Sequence, residues 1–315
     1  MTSAPIRQTP YSMSWKKRML KSLSQSWELY ILLLPAIAAQ ALFCYAPMYG
    51  VQIAFKEYIT SEGIVGSEWI GLHNFIRFIN YSSTWKLIRN TLRLSLYGYV
   101  GTPITIIIAL MLNELEPAWY KKTIQMVSYA PHFLSTVVVC SMLTLFTDRA
   151  TGVFNNIIEF FGGERKAFLA IPEMFPSLFV WSGVWQGVGW GTIIYLASLS
   201  NVPQDQIEAS QIDGANKIQV IWHVKLPAIL PTIVILLILS TGNIMNVSFE
   251  KTFLLKNDLN SEASNVISTY TYQIGLMEGK FSYSAAIGLF NNIINILIMI
   301  MVNKIAKAVG DMSIW

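Results

Sequence analysis

His132 and Ser135 stand three residues apart in "YAPHFLS" (129–135), a spacing at which an imidazole and a hydroxyl can meet on one helix. A base beside a hydroxyl is the pairing that nucleophilic hydrolysis needs. The sequence supplies nothing to complete it, having neither a G-x-S-x-G elbow nor clustered acidic residues for a metal. A membrane-embedded hydrolase or glycosyl carrier transferase is therefore the rival reading, and His132 is equally well accounted for by a bond to a backbone carbonyl. "GLMEGKF" (275–281) is one residue too short for a phosphate loop and ends in Phe, so ATP chemistry has to come from another chain. Cys44 and Cys140 lie inside apolar runs without C-x-x-C spacing and read as small buried hydrophobes; no metal and no cofactor is assigned to this chain.

What remains is non-covalent chemistry by aromatic rings and amides. Trp181, Trp185, Gln186 and Trp190 fall in one apolar run, Ser240, Asn243 and Asn246 in the next, and Asn291, Asn292 and Asn295 in the last. The last three share an arc of about 100° with Ser284 and Gly288. A pyranose has an apolar C–H face and a rim of hydroxyls, so rings plus amides suit a sugar. The competing accounts are lipid contact or an interfacial belt for the tryptophans, and interhelical bonds for the asparagines. Gly183, Gly187 and Gly191 recur every four residues and predict a face for close helix packing.

These residues need a membrane to hold them. The chain has 315 residues, 53% hydrophobic and only 13% charged, where a soluble domain carries about 25% charge. Six apolar runs, at 29–51, 91–112, 124–147, 177–199, 226–247 and 284–305, approach the roughly 20 residues of a spanning helix. They are continuous rather than alternating, which predicts an all-α polytopic protein and not a barrel. The organisation is then a tail (1–28), a six-helix domain (29–305) and a second tail (306–315). The net charge of +4 is scattered, which gives nucleic-acid binding no support.

Lys16, Lys17, Arg18 and Lys21 precede the first run and put the N-terminus in the cytoplasm; six spans return the C-terminus, with Lys304 and Lys307, to the same side. Over the whole chain Lys and Arg divide evenly, about 11 to a side, so the orientation rests on the charges nearest the first run. The apolar run continues to Val51 without a break, as in a retained anchor rather than a cleaved signal. Segments 56–90, 148–176 and 248–283 fall outside, and loops 113–123 and 200–225 inside. "GLHNFIRFI" (71–79) predicts a helix lying on the outer membrane surface or on the neighbouring helices, with Leu72, Phe75, Ile76 and Ile79 on its apolar face and Asn74, Arg77 and Asn80 opposite.

The inner loop "EASQIDGANKIQVIWHVKLP" (208–227) predicts two short helices. Pro203 opens the first, Asp205 and Glu208 suit its N-terminal end, and Gly214 ends it in a left-handed turn. In the second, Ile218, Ile221 and Trp222 form an apolar stripe beside polar Asn216, Lys217 and Gln219, the pattern of a helix that seats in a partner's groove or lies on lipid.

Glu208, Ala209, Asp213, Gly214, Ala215, Val224, Leu226 and Pro227 resemble the EAA signature of ATP-binding-cassette importer permeases: E-A-A, three residues, G, nine residues, I, one residue, L-P. Every step of the spacing agrees; Ser210 stands for the third motif residue and Val224 for isoleucine. "YAPMYGVQIAFKEY" (45–58), "WIGLHNF" (69–75), "RNT" (89–91), "ALMLNEL" (109–115) and "YAPHFLS" (129–135) resemble the branch of carbohydrate permeases that imports polysaccharide fragments. The resemblance implies the type I importer fold, residues 203–227 as coupling helices in a cleft of an ATPase subunit, Glu208 as the contact and Gly214 as the hinge. It also implies sugar contacts from mid-span, at 181–190 and 240–246. A single EAA stretch implies a second, similar permease chain, two ATPase subunits holding ATP and magnesium, and an extracytoplasmic sugar-binding protein at a bacterial inner membrane. An EAA-type importer of peptides, amino acids or anions is the alternative, disfavoured because such solutes need fixed charges that the runs lack.

Overall fold

The computed structural model describes residues 26–310 together with Trp15 and Ser313. The basic cluster Lys16, Lys17, Arg18 and Lys21 lies outside the described residues. The chain begins with α1 (Trp27–Gln40), prolonged by a π turn (Ala41–Tyr45) and a 3-10 stretch (Ala46–Phe55). A two-residue antiparallel pair follows, β1 (Lys56–Glu57) with β2 (Glu68–Trp69), in the register Lys56 to Trp69. Then come α2 (His73–Ile79), α3 (Thr84–Gly98), α4 (Gly101–Asn113), α5 (Ala118–Tyr129), α6 (Thr136–Phe146) and α7 (Val153–Phe160). The second half holds α8 (Phe175–Leu199), α9 (Gln204–Ile212), α10 (Lys217–Val220), α11 (Leu226–Thr241), α12 (Phe249–Leu255), α13 (Ile267–Tyr272) and α14 (Phe281–Gly310).

Among the described residues four helical stretches are long and apolar enough to cross a membrane: Trp27–Phe55, Thr84–Asn113, Lys217–Thr241 and Phe281–Ala308. The third expected span is not one straight helix. Ala118–Phe133 and Thr136–Phe146 meet at 96°, because Pro131 removes a helical donor and Ser135 turns extended and caps the next helix, its Oγ accepting from the Val138 N–H at 3.3 Å. The fourth expected span corresponds to α8, whose 25 residues reach about 37 Å, but it is not among the stretches long and apolar enough to cross.

Side chains pack in three clusters. Phe78, Leu87, Met245, Ile267 and Ile287 join α2, α3, α13 and α14; Leu94, Cys140, Phe175 and Val266 join α3, α6 and α8; Ala109, Leu110, Tyr195, Leu199, Ile229 and Ile233 join α4, α8 and α11. In lipid such contacts depend on close fit rather than on escape from water. The closest approach is not at the Gly183, Gly187 and Gly191 face. It is at Gly189, where a Cβ would lie 1.9 Å from the Ser128 carbonyl oxygen, whereas one at Gly187 would meet nothing within 4 Å. Around α2, Asn74 and Phe78 are buried, and Leu72, Ile76 and Ile79 are exposed. Asn74 is drawn in by its amide, which donates to the Ala54 carbonyl at 3.2 Å.

Candidate functional site

The loop between α8 and α11 folds as a helical hairpin. Pro203 leads into α9, and Asp205 sits in its first turn. Gly214 closes it with φ of 86°, a left-handed conformation that side chains resist. The Ala215 N–H donates to the Ser210 carbonyl and the Gly214 N–H to the Gln211 carbonyl, both at 3.0 Å, which completes a Schellman ending. Asn216 and Gln219 cap the next helix reciprocally, at 2.9 and 2.8 Å. Helix α9 has no buried residue, and Glu208, Ala209 and Asp213 are exposed, Glu208 accepting only from the Gln204 amide at 3.2 Å.

The apolar stripe divides. Ile218 and Trp222 are exposed by 67% and 61%, whereas Ile221 packs against the α4, α8 and α11 cluster with Leu226. Ile212, missed in the sequence, is 86% exposed. Three large apolar side chains thus project from a short polar hairpin. A π turn (Ile221–Lys225) joins α10 to α11, with Pro227 in the first turn of α11, so Lys217–Thr241 is one continuous rod.

The ring and amide residues of the spans occupy three separate places. Trp181 and Trp185 line an almost wholly apolar cleft of about 480 Å³ with Val139, Met142, Phe146 and Phe154; the Trp181 indole N–H donates to Tyr97 Oη at 2.9 Å. Gln186 and Trp190 brace the break in the third span, the Gln186 amide donating to the Leu134 carbonyl and the Trp190 ring lying on His132 with centroids 4.5 Å apart. His132 and Ser135 are thereby committed to a stack and a cap, and no hydrolytic pair forms.

Ser240 and Asn243 line a small cleft with Ser95, Tyr99 and Thr102, of about 290 Å³. Here α11 has ended, and the chain after Gly242 is unwound. Asn291 and Asn295 of α14 hold this segment: Asn291 donates to Asn246 Oδ1 at 2.7 Å and to the Met245 carbonyl at 3.3 Å, and Asn295 Oδ1 accepts from the Met245 N–H at 2.8 Å. Asn292, one position around the helix, is exposed instead. Asn243 is exposed and accepts only from Asn246, at 3.3 Å.

One charge escaped the sequence reading. Lys251, on α12, folds back against α8, its Nζ donating to the Phe179 carbonyl at 2.7 Å and lying 4.8 Å from the Phe179 ring centre. It is 6% exposed, and burial lowers its pKa to about 8. Its place in a segment between two apolar runs gave no sign of this depth. No group of three or more metal-ligating side chains occurs among the described residues.

Comparison with known proteins identifies this architecture. Residues 101–311 match the family described as binding-protein-dependent transport system inner membrane component. The polygalacturonan/rhamnogalacturonan transport system permease protein YteP of Bacillus subtilis (strain 168) is 40% identical over 95% of this chain and 94% of its own length. Protein LplB of the same organism is 40% identical over 96% and 95%. A chain of a bacterial ABC transporter that imports the acidic polysaccharide alginate superposes with a TM-score of 0.85, at 35% identity over 93% of this chain and 99% of that one. The same TM-score and identity hold for that transporter in complex with its periplasmic protein carrying an alginate pentasaccharide. The chain belongs to the binding-protein-dependent inner membrane components, the permease subunits of ABC transporters. It is a transport subunit with the type I importer fold and not an enzyme.

Proposed function

We propose that this chain is the permease half of an ATP-driven importer of oligosaccharides, working with a second homologous permease, two ATPase subunits and an extracytoplasmic sugar-binding protein. Both termini and the 203–227 hairpin lie in the cytoplasm. The observation that carries the reading is the exposed set Ile212, Ile218 and Trp222 on a hairpin whose second helix runs unbroken into α11. Glu208, Ala209, Asp213, Gly214 and Ala215 shape that surface, and Leu226 and Pro227 join it to the rod. Closure of the ATPases moves the hairpin, and the rod carries the movement to the spans, which open alternately to either side.

Sugar contact falls to the exposed amides at the unwound end of α11, Asn243 and Asn246 with Ser240, where hydroxyls can replace water. Asn292 offers a further exposed amide on α14, while Asn291 and Asn295 position the segment. Trp181 and Trp185 offer ring faces in a cleft of their own, while Trp190, stacked on His132, and Gln186, bonded to the Leu134 carbonyl, hold the break in the third span. The relatives named for polygalacturonan/rhamnogalacturonan and alginate support a uronate-bearing oligosaccharide as the solute. The test is uptake of labelled oligogalacturonides into proteoliposomes that hold the assembled complex. Accumulation should need internal ATP and the binding protein. Uptake by this chain without ATPase subunits, or no uptake by the complete assembly, contradicts the proposal.

A further inference from the structure

The Lys225 ammonium is ion-paired with the Glu114 carboxylate. Lys225 is the last residue of the π turn that follows the coupling hairpin, and Glu114 caps the inner end of α4. The two are 111 residues apart in sequence, and their side chains are only 10% and 26% exposed. This is the one ion pair among the described residues that joins two membrane spans; Lys86–Glu262, Arg165–Glu159 and Lys280–Glu278 lie in the outer segments or at span starts.

The π turn explains how a lysine comes to point there. Positions 218, 222 and 225 are spaced i, i+4 and i+7, so an uninterrupted α-helix would put all three on one face. A π turn holds an extra residue and rotates less per residue, which shifts everything beyond it around the axis. Ile218 and Trp222 consequently face the cytoplasm, and Lys225 turns in, 8% exposed, toward α4.

Stability alone does not require this pair. Ala109 and Leu110 of α4, Tyr195 and Leu199 of α8, and Ile229 and Ile233 of α11 already pack together, and Ser198 bonds to Thr232 at 2.9 Å. A buried ion pair adds little net stability over an apolar replacement; what it fixes well is register. The outer end of α4 adjoins Tyr99 and Thr102, which share a cleft with Asn243.

We propose that Glu114 and Lys225 are positioning residues that make α4 follow the coupling hairpin, so that α4, α8 and α11 move as one block and carry ATPase closure to the cleft around Asn243. The inference rests on the proposed importer function. Its test compares Glu114→Gln, Lys225→Met and the exchanged pair Glu114→Lys/Lys225→Glu, each in proteoliposomes with the partner subunits and binding protein, using labelled oligogalacturonides. The reading is sugar imported per ATP hydrolysed, taken on assembled complex, beside the melting temperature.

The single variants should still hydrolyse ATP while sugar per ATP falls roughly tenfold, and the exchange should restore most of it. A pair that merely holds the helices together would lower the melting temperature and leave the ratio unchanged. An unchanged ratio in both single variants, or an exchange that restores melting without restoring the ratio, overturns the proposal. If a single variant fails to assemble, the exchanged pair decides alone, since it keeps the pair and must couple as the wild type does. Loss of coupling in the wild-type assembly would instead overturn the importer reading itself.

Discussion

The Gln186 amide donates to the Leu134 carbonyl oxygen at 2.8 Å, across the point where the third span breaks. In an unbroken helix that carbonyl would accept from the Val138 N–H, but Ser135 takes that donor as a cap. Gln186 therefore replaces a missing backbone bond. Replacing it by Ala should cost about 0.5–1.5 kcal/mol, the net worth of a hydrogen bond at a half-buried carbonyl. Asn243→Ala, by contrast, removes an exposed amide with one weak partner and should leave the melting temperature unchanged. It should instead weaken sugar-stimulated ATP hydrolysis by roughly 5- to 150-fold in apparent affinity. Melting curves and sugar titrations of the two purified assemblies separate these outcomes.

A methyl group discriminates between two neighbouring glycines of α8. Gly189→Ala forces the Ser128 backbone away and should cost about 1–3 kcal/mol as overpacking. Gly187→Ala meets open space and should be neutral or stabilising by about 0.5–1 kcal/mol, through helix propensity. Thermal denaturation of the assembled complex measures both.

Lys251 gives the complex a pH signature. Its pKa is lowered by burial to about 8 from 10.5, so between those values the unfolded chain binds the proton and the folded chain has released it. Stability from this group therefore rises as pH increases from about 8 toward 10.5. Lys251→Met should flatten the rise in melting temperature across that window, and an identical slope in the variant would contradict the assignment.

The hairpin was legible because its determinants are local. Pro203, Gly214 and the Asn216 and Gln219 pair each act within a few residues, and the motif spacing is a property of the chain. Other features depend on partners far away in sequence. The bend at 134–135 lies hidden in an apolar run, Pro131 being its one local sign, and its stabiliser Gln186 is 52 residues distant. The depth of Lys251 is set by how α12 folds onto α8, and the tight glycine by the position of Ser128. Hydropathy marks which residues avoid water and not which neighbour they meet. Spacing alone groups Asn291 and Asn295 with Asn292, although only the first two bind the unwound segment.

Orientation has its own test. In a chain with Cys44 and Cys140 replaced by Ala, a cysteine at Gln219 should react with a membrane-impermeant thiol reagent only from the cytoplasmic side. One at Ser261 should react only from outside. The opposite pattern would place the hairpin on the wrong side for ATPase docking.

The central claim, that this hairpin docks on an ATPase subunit, is tested most directly by the affinity of that subunit for the permease pair in nanodiscs. Trp222→Asp puts a charge where an exposed aromatic should enter an apolar cleft, yet alters no buried contact of the fold, since Trp222 is 61% exposed. The account predicts a loss of at least about 2 kcal/mol of binding, roughly 30-fold in Kd, with the variant's melting temperature unchanged. Wild-type affinity of the ATPase for the Trp222→Asp permease would contradict it.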